Sequence, residues 1–164
     1  MQFTKPRTLL GTLFVFLAGV GAVKADQNVN EVEINAPIDK VYVYVSQPDR
    51  WHEWHPASLS ASTGEVKVLK AGDTFSEKIR IYGQETEMNY KVVIASPPNE
   101  FKTAFTSPLI DGTIHYQLET RGTGTYFKRT LEYSLDKYMA TMQAGMKKMS
   151  VVALENLKGK LESK

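Results

Sequence analysis

A change of hydrophobic period divides this chain and limits the folds open to it. From about Ser62 to Ser134 apolar residues recur at every second position. Phe75, Glu77, Ile79 and Ile81 share one face; so do Thr86, Met88, Tyr90, Val92 and Ile94. Phe101, Thr103 and Phe105, then Ile114, Tyr116, Leu118 and Thr120, then Phe127, Arg129, Leu131, Tyr133 and Leu135, repeat the pattern. Half-buried antiparallel strands alternate in this way. Turns are expected at Gly72-Asp73, Tyr82-Gly83-Gln84, Pro97-Pro98-Asn99 and Gly122-Thr123-Gly124. A further strand is expected over Glu65–Leu69. From about Lys137 the period becomes 3.6. Met139, Met142, Met146, Met149 and Ala153 form a stripe that Leu154, Leu157 and Leu161 continue, with Asp136 as the expected cap. This is one long amphipathic helix.

Before the alternating region, Val29 to Asn35 reads as an edge strand. Pro37 to Ser46 reads as a short helix, with Asn35 as a candidate cap and proline in the first turn. Pro48 to Pro56, rich in aromatics, reads as a second short helix or turn ending before Pro56. The order is strand, two short helices, about six strands, long helix. That is an α+β layout with helices on one face of an antiparallel sheet. A single helix does not fill the concave side of a curved sheet, so a ligand space between them is expected.

The first 25 residues are set apart. Lys5 and Arg7 precede an apolar run from Leu9 to Val23, and Val23-Lys24-Ala25 suits a signal peptidase. The expected division is a signal peptide over 1–25 and one domain over 26–164, with an uncleaved anchor as the competing reading. The expected location is the bacterial periplasm, or alternatively full secretion. The chain has 20 basic and 18 acidic residues. Lys5, Arg7 and Lys24 lie in the leading segment, so the remainder is near neutral and a nucleic-acid partner is not indicated. No membrane-spanning segment is expected in the mature chain. Cysteine is absent, which excludes disulfides, thiol catalysis and cysteine-zinc sites.

Val32-Glu33-Ile34-Asn35-Ala36-Pro37-Ile38-Asp39-Lys40-Val41-Tyr42 resembles the opening of the START-like superfamily (SRPBCC, Bet v 1-like). The Trp51-to-Pro56 segment, the Gly72-Asp73 turn and the long last helix are similar to it as well. The branch most resembled is the polyketide cyclase/dehydrase and lipid-transport group, over most of residues 29–161. The resemblance implies a helix-grip fold, a curved sheet of about seven strands around the C-terminal helix with a cavity beneath it. It also implies a small hydrophobic ligand, no cofactor, and either carriage of that ligand or cyclase/dehydrase chemistry. A monomer is expected.

Glu77 and Arg129 fall on otherwise apolar strand faces, where an unpaired charge is costly. Either they meet a ligand, Arg129 as anion anchor and Glu77 as acceptor or base, or a bulge or edge lets them reach solvent. Trp51, His52, Trp54 and His55 either rim a cavity or anchor the short helix. The methionine stripe suits a cavity wall and also simple packing. Buried hydroxyls of Tyr90, Tyr116 and Tyr133 require partners. The candidate ligand-binding set is Trp54, Glu77, Tyr90, Phe105, Tyr116, Arg129, Tyr133, Met142 and Met146; no catalytic residue is assigned. His52-Glu53-Trp54-His55 is one residue short of H-E-x-x-H, so no metal site is expected. A hydrolase has no motif here: G-x-S-x-G is absent, and Gly122-Thr123-Gly124 precedes a strand rather than a helix.

Overall fold

The structure is a computed structural model, described over residues 26–64, 68–108, 110–134 and 140–163, with side chains of the last helix described from residue 143. Seven strands, β1 (Asp26–Ile34), β2 (Ser58–Ser62), β3 (Thr74–Ile81), β4 (Gln84–Ser96), β5 (Glu100–Thr106), β6 (Asp111–Arg121) and β7 (Gly124–Ser134), form one antiparallel sheet. Its order is β1-β7-β6-β5-β4-β3-β2, so each strand from β2 to β7 pairs with its sequence neighbour and β1 returns to flank β7. A helix α1 (Ile38–Val45) and a 3-10 helix (Pro48–Glu53) follow β1, and a long helix α2 (Ala140–Glu162) closes the chain. This is the α+β, helix-grip layout that the hydrophobic periods and the resemblance imply.

Inward faces follow the alternation. Phe75, Glu77, Ile79 and Ile81 are buried on β3, and Phe127, Arg129, Leu131 and Tyr133 on β7. The β3–β4 turn places Tyr82 at φ 51 and Gly83 at φ 80, the left-handed pair that a tight hairpin demands. Tyrosine there is unusual, because a Cβ is crowded at positive φ.

Four expectations need correction. The strand before Gly72 is Ser58–Ser62, whereas Val68 and Leu69 lie outside any strand and 65–67 are not among the described residues. The SLSAS run of β2 has too little alternation to be read locally; pairing with β3 makes it a strand. Ile94 does not share the face of Val92. A bulge between them changes the register, so Ala95, opposite Phe101, packs against the core instead. Asn35 is not the cap of α1: the N-cap is Pro37, and the Asn35 amide donates to Glu162 Oε1 at 2.7 Å. Finally, β1 starts at Asp26, earlier than Val29, which brings Asn28 into the interior. Residues 1–25, Leu135, Asp136 and Met139 lie outside the described residues.

The short helix is tied to the sheet through Trp51. Its indole Nε1 donates to the Val45 carbonyl at 2.8 Å, and its ring meets Phe75 and Tyr90 edge-on at 5.5 Å each. Asn156 Nδ2 donates to the Trp54 carbonyl at 3.1 Å, joining α2 to the same segment.

Candidate functional site

The inward faces of β3 to β7 and the underside of α2 bound a cavity of about 70 Å³. Its floor is Glu77, Ile79 and Ile81 of β3, Met88 and Tyr90 of β4, Phe105 of β5, Ile114 and Tyr116 of β6, and Arg129 and Leu131 of β7. Met146, Met149 and Ser150 of α2 cover it. Trp51, Trp54, His55 and Ala57 form one wall, and Ile110 completes the lining. The wall is apolar apart from a few groups, which identify its chemistry.

Glu77 and Arg129 are 4% and 3% exposed. Neither reaches solvent through a bulge or an edge; β3 and β7 carry both inward. Tyr90 donates its hydroxyl to Glu77 Oε2 at 2.6 Å, and its ring stacks on Phe75 with centroids 4.6 Å apart. Burial holds the Glu77 carboxyl above its ordinary range, outweighing Ser58, Tyr90 and the Arg129 charge, which pull it down. Burial also raises the Tyr90 hydroxyl, and the neighbouring Glu77 adds to the effect. Tyr116 is pushed up to about 12 by burial, although Arg129 beside it acts the other way.

Arg129 is held from above. Its Nη1 donates to Ser150 Oγ at 3.1 Å, and Asn28 Nδ2 donates to the same oxygen at 3.0 Å. One hydroxyl of α2 therefore gathers β1 and β7 beneath it. Arg129 Nε has no hydrogen-bond partner among the described residues, and neither has Trp54 Nε1. No ion pair of Arg129 is formed among them either. His55 is lowered to about 3, by burial first and by the Arg129 charge second, so the ring is neutral near neutral pH. Its Nδ1 accepts from the Ala57 amide at 3.3 Å.

Of the residues singled out by sequence, Trp54, Glu77, Tyr90, Phe105, Tyr116, Arg129 and Met146 line this one space. Tyr133 does not. It is fully buried on the inward face of β7 but outside the cavity, with Gln143 beside its hydroxyl. β7 is longer than the cavity, so its inward face continues beyond it. The Met142 side chain lies outside the described residues. Ser150, Asn28 and His55 were not in the expected set. Ser150 follows Met146 by four residues, so the helical period alone places it over the cavity. Asn28 has no such signal, since the local alternation begins one residue later, at Val29. Among the described residues no cluster of three or more His, Asp or Glu side chains is placed to hold a metal.

The sequence profile of the family described as polyketide cyclase / dehydrase and lipid transport matches residues 27–162. Solved structures share the fold at low identity. The Zhui aromatase/cyclase from Streptomyces sp. R1128 has a TM-score of 0.72 and 14% identity, over 85% of this chain and 94% of that one. A START superfamily protein from Mycobacterium smegmatis has a TM-score of 0.67 and 13% identity, over 83% and 97%. Ara h 8.0201 has a TM-score of 0.66 and 12% identity, over 86% and 100%. No curated protein matches the sequence. At these identities the structural likeness speaks for the fold.

Proposed function

The chain belongs to the polyketide cyclase / dehydrase and lipid-transport family, and from that premise we propose that it binds and carries a small hydrophobic ligand in the cavity under α2. The observation that carries this reading is a partly open, mostly apolar space with a buried cation, Arg129, on its floor. A volume of about 70 Å³ is about half of the roughly 150 Å³ cavity that accepts benzene, so a ring-sized ligand also uses the open side of the space. A long-chain lipid needs more room than this. Native mass spectrometry of the purified protein, before and after incubation with a broad panel of apolar compounds, tests the reading. A stoichiometric adduct is expected; a protein that takes up nothing from the panel rejects it.

The Tyr90–Glu77 contact favours a second reading, a cyclase/dehydrase in which Glu77 and the cavity tyrosines move protons. A carboxyl kept toward its neutral form by burial is suited to protonate a leaving hydroxyl. Recovery of the bound compound separates the two: a carrier returns it unchanged, whereas a dehydrase returns it lighter by one water.

The layout of residues 1–25 supports export to the periplasm or beyond the cell, with Asp26 as the first residue of the mature chain. The intact mass of protein purified from its native cell fraction tests that. Among the described residues no helix is long and apolar enough to cross a membrane. A monomer is part of the same proposal, and light scattering reads it directly.

A further inference from the structure

The polar side chains of the cavity wall differ in kind as well as number. Among its lining side chains, the two buried polar atoms without a partner in the described residues are Arg129 Nε and Trp54 Nε1. Both are N–H donors that never accept. His55 lines the same wall and carries an N–H at one ring edge. Its Nδ1 accepts from the Ala57 amide, so the ring hydrogen resides on Nε2, the opposite edge. The carboxyl present, Glu77, is engaged by Tyr90 through Oε2. Arg129 has five donor hydrogens, with Ser150 on Nη1 and Tyr116 beside it. A buried guanidinium without an ion pair is costly, and so is each unmade buried hydrogen bond.

We propose that the ligand is a compact carboxylic acid, one ring or a short chain in size, whose carboxylate is held by Arg129 while its apolar body lies under Met146 and Met149. The inference deepens the ligand-binding reading and rests on it. A carboxylate offers acceptors only, and its planar fork matches a guanidinium edge that includes Nε. It also supplies a full counter-charge to Arg129, where the Glu77 carboxyl on the same floor is hydrogen-bonded to Tyr90 and held toward its neutral form by burial. An ester or alcohol of the same shape fills the apolar space but leaves the charge unbalanced. Ser150 is a positioning residue here: it holds Nη1 and leaves Nε without a partner among the described residues.

The test is calorimetric titration of the purified protein with phenylacetate and octanoate against methyl phenylacetate, methyl octanoate and 1-octanol. The acids are expected to bind about tenfold or more tightly than their esters, since a charged hydrogen bond is replaced by a neutral one. Arg129→Met is expected to erase that preference, leaving acid and ester alike. Esters binding as well as acids overturn the carboxylate inference and leave the cavity reading standing. No binding by any probe overturns both. Acid preference that persists in Arg129→Met also overturns it. If that variant fails to fold, the acid-to-ester ratio on the wild-type protein decides, and Ser150→Ala, expected to narrow the ratio without abolishing acid binding, supplies the second variant.

Discussion

The two halves of α2 meet the same sheet under different conditions. From Ser150 onward Ala153, Leu154, Leu157 and Leu161 are 0–3% exposed. Side chains and backbone clamp that end from several directions: Lys40 Nζ donates to the Leu161 carbonyl at 3.1 Å, Lys158 Nζ to the Glu33 carbonyl at 2.9 Å, and Asn156 to Trp54. Between Gln143 and Met149 only Met146 is buried, and what lies beneath is the cavity. Tyr82, at the strained tip of the β3–β4 hairpin, reaches Gly145, where any Cβ would collide with its hydroxyl. One half of the helix therefore contributes core, and the other half contributes a roof. Ligand passage draws on segments of low local stability, and in this helix the roof is the segment with the fewest buried side chains to hold it.

The sharpest way to break the contrast is truncation at matched positions. Leu157→Ala removes a fully enclosed side chain and is expected to cost about 2–5 kcal/mol in urea denaturation. Met146→Ala enlarges a space that already lacks packing atoms, so its cost is expected to stay under about 2 kcal/mol. Equal costs would show that the roof is as well packed as the anchor. Native-state hydrogen exchange sharpens the same point. Amides at 146–149 are expected to exchange about tenfold or more faster than those at 154–161; uniform protection along the helix would contradict a divided α2.

The smallest effect is expected from pH. The depressed His55 means that between about 6.5 and about 3 the unfolded chain binds a proton that the folded one resists. Stability from this group is therefore full above that window and falls as pH drops through it. His55→Asn keeps an acceptor for the Ala57 amide and is expected to flatten the decline, read as thermal midpoints at stepped pH. Glu77 has the opposite sign. Its raised value means stability present below its unfolded range and lost as pH rises above it, and Glu77→Gln is expected to remove that slope. A wild-type decline in acid that His55→Asn leaves unchanged would detach His55 from it.

Much of this fold is legible locally because strand and helix periods are local properties. Alternation alone placed Glu77, Tyr90, Phe105, Tyr116 and Arg129 on inward faces, and helical spacing placed Met146 there. Tyr133 shows the limit. Its face was legible, but the extent of the cavity along β7 depends on where α2 crosses, which no period in β7 records. The bulge at Val92–Ile94 and the pairing of the SLSAS run were illegible for a related reason: each exists only because a partner strand imposes a register.

The amino-acid sequence by itself determined most of the side chains that β3, β5, β6 and β7 turn inward, the absence of any thiol chemistry, and a long final helix with one apolar stripe. Tertiary structure alone decided that Ser150 receives both Asn28, 122 residues away, and Arg129, 21 residues away, on one oxygen. It also decided that Arg129 keeps a donor unmatched beneath the roof. The physical reason is range: backbone sterics and side-chain period act over a few residues, whereas the pairing of a buried charge is settled by whichever distant segments the closed sheet and its helix bring to it.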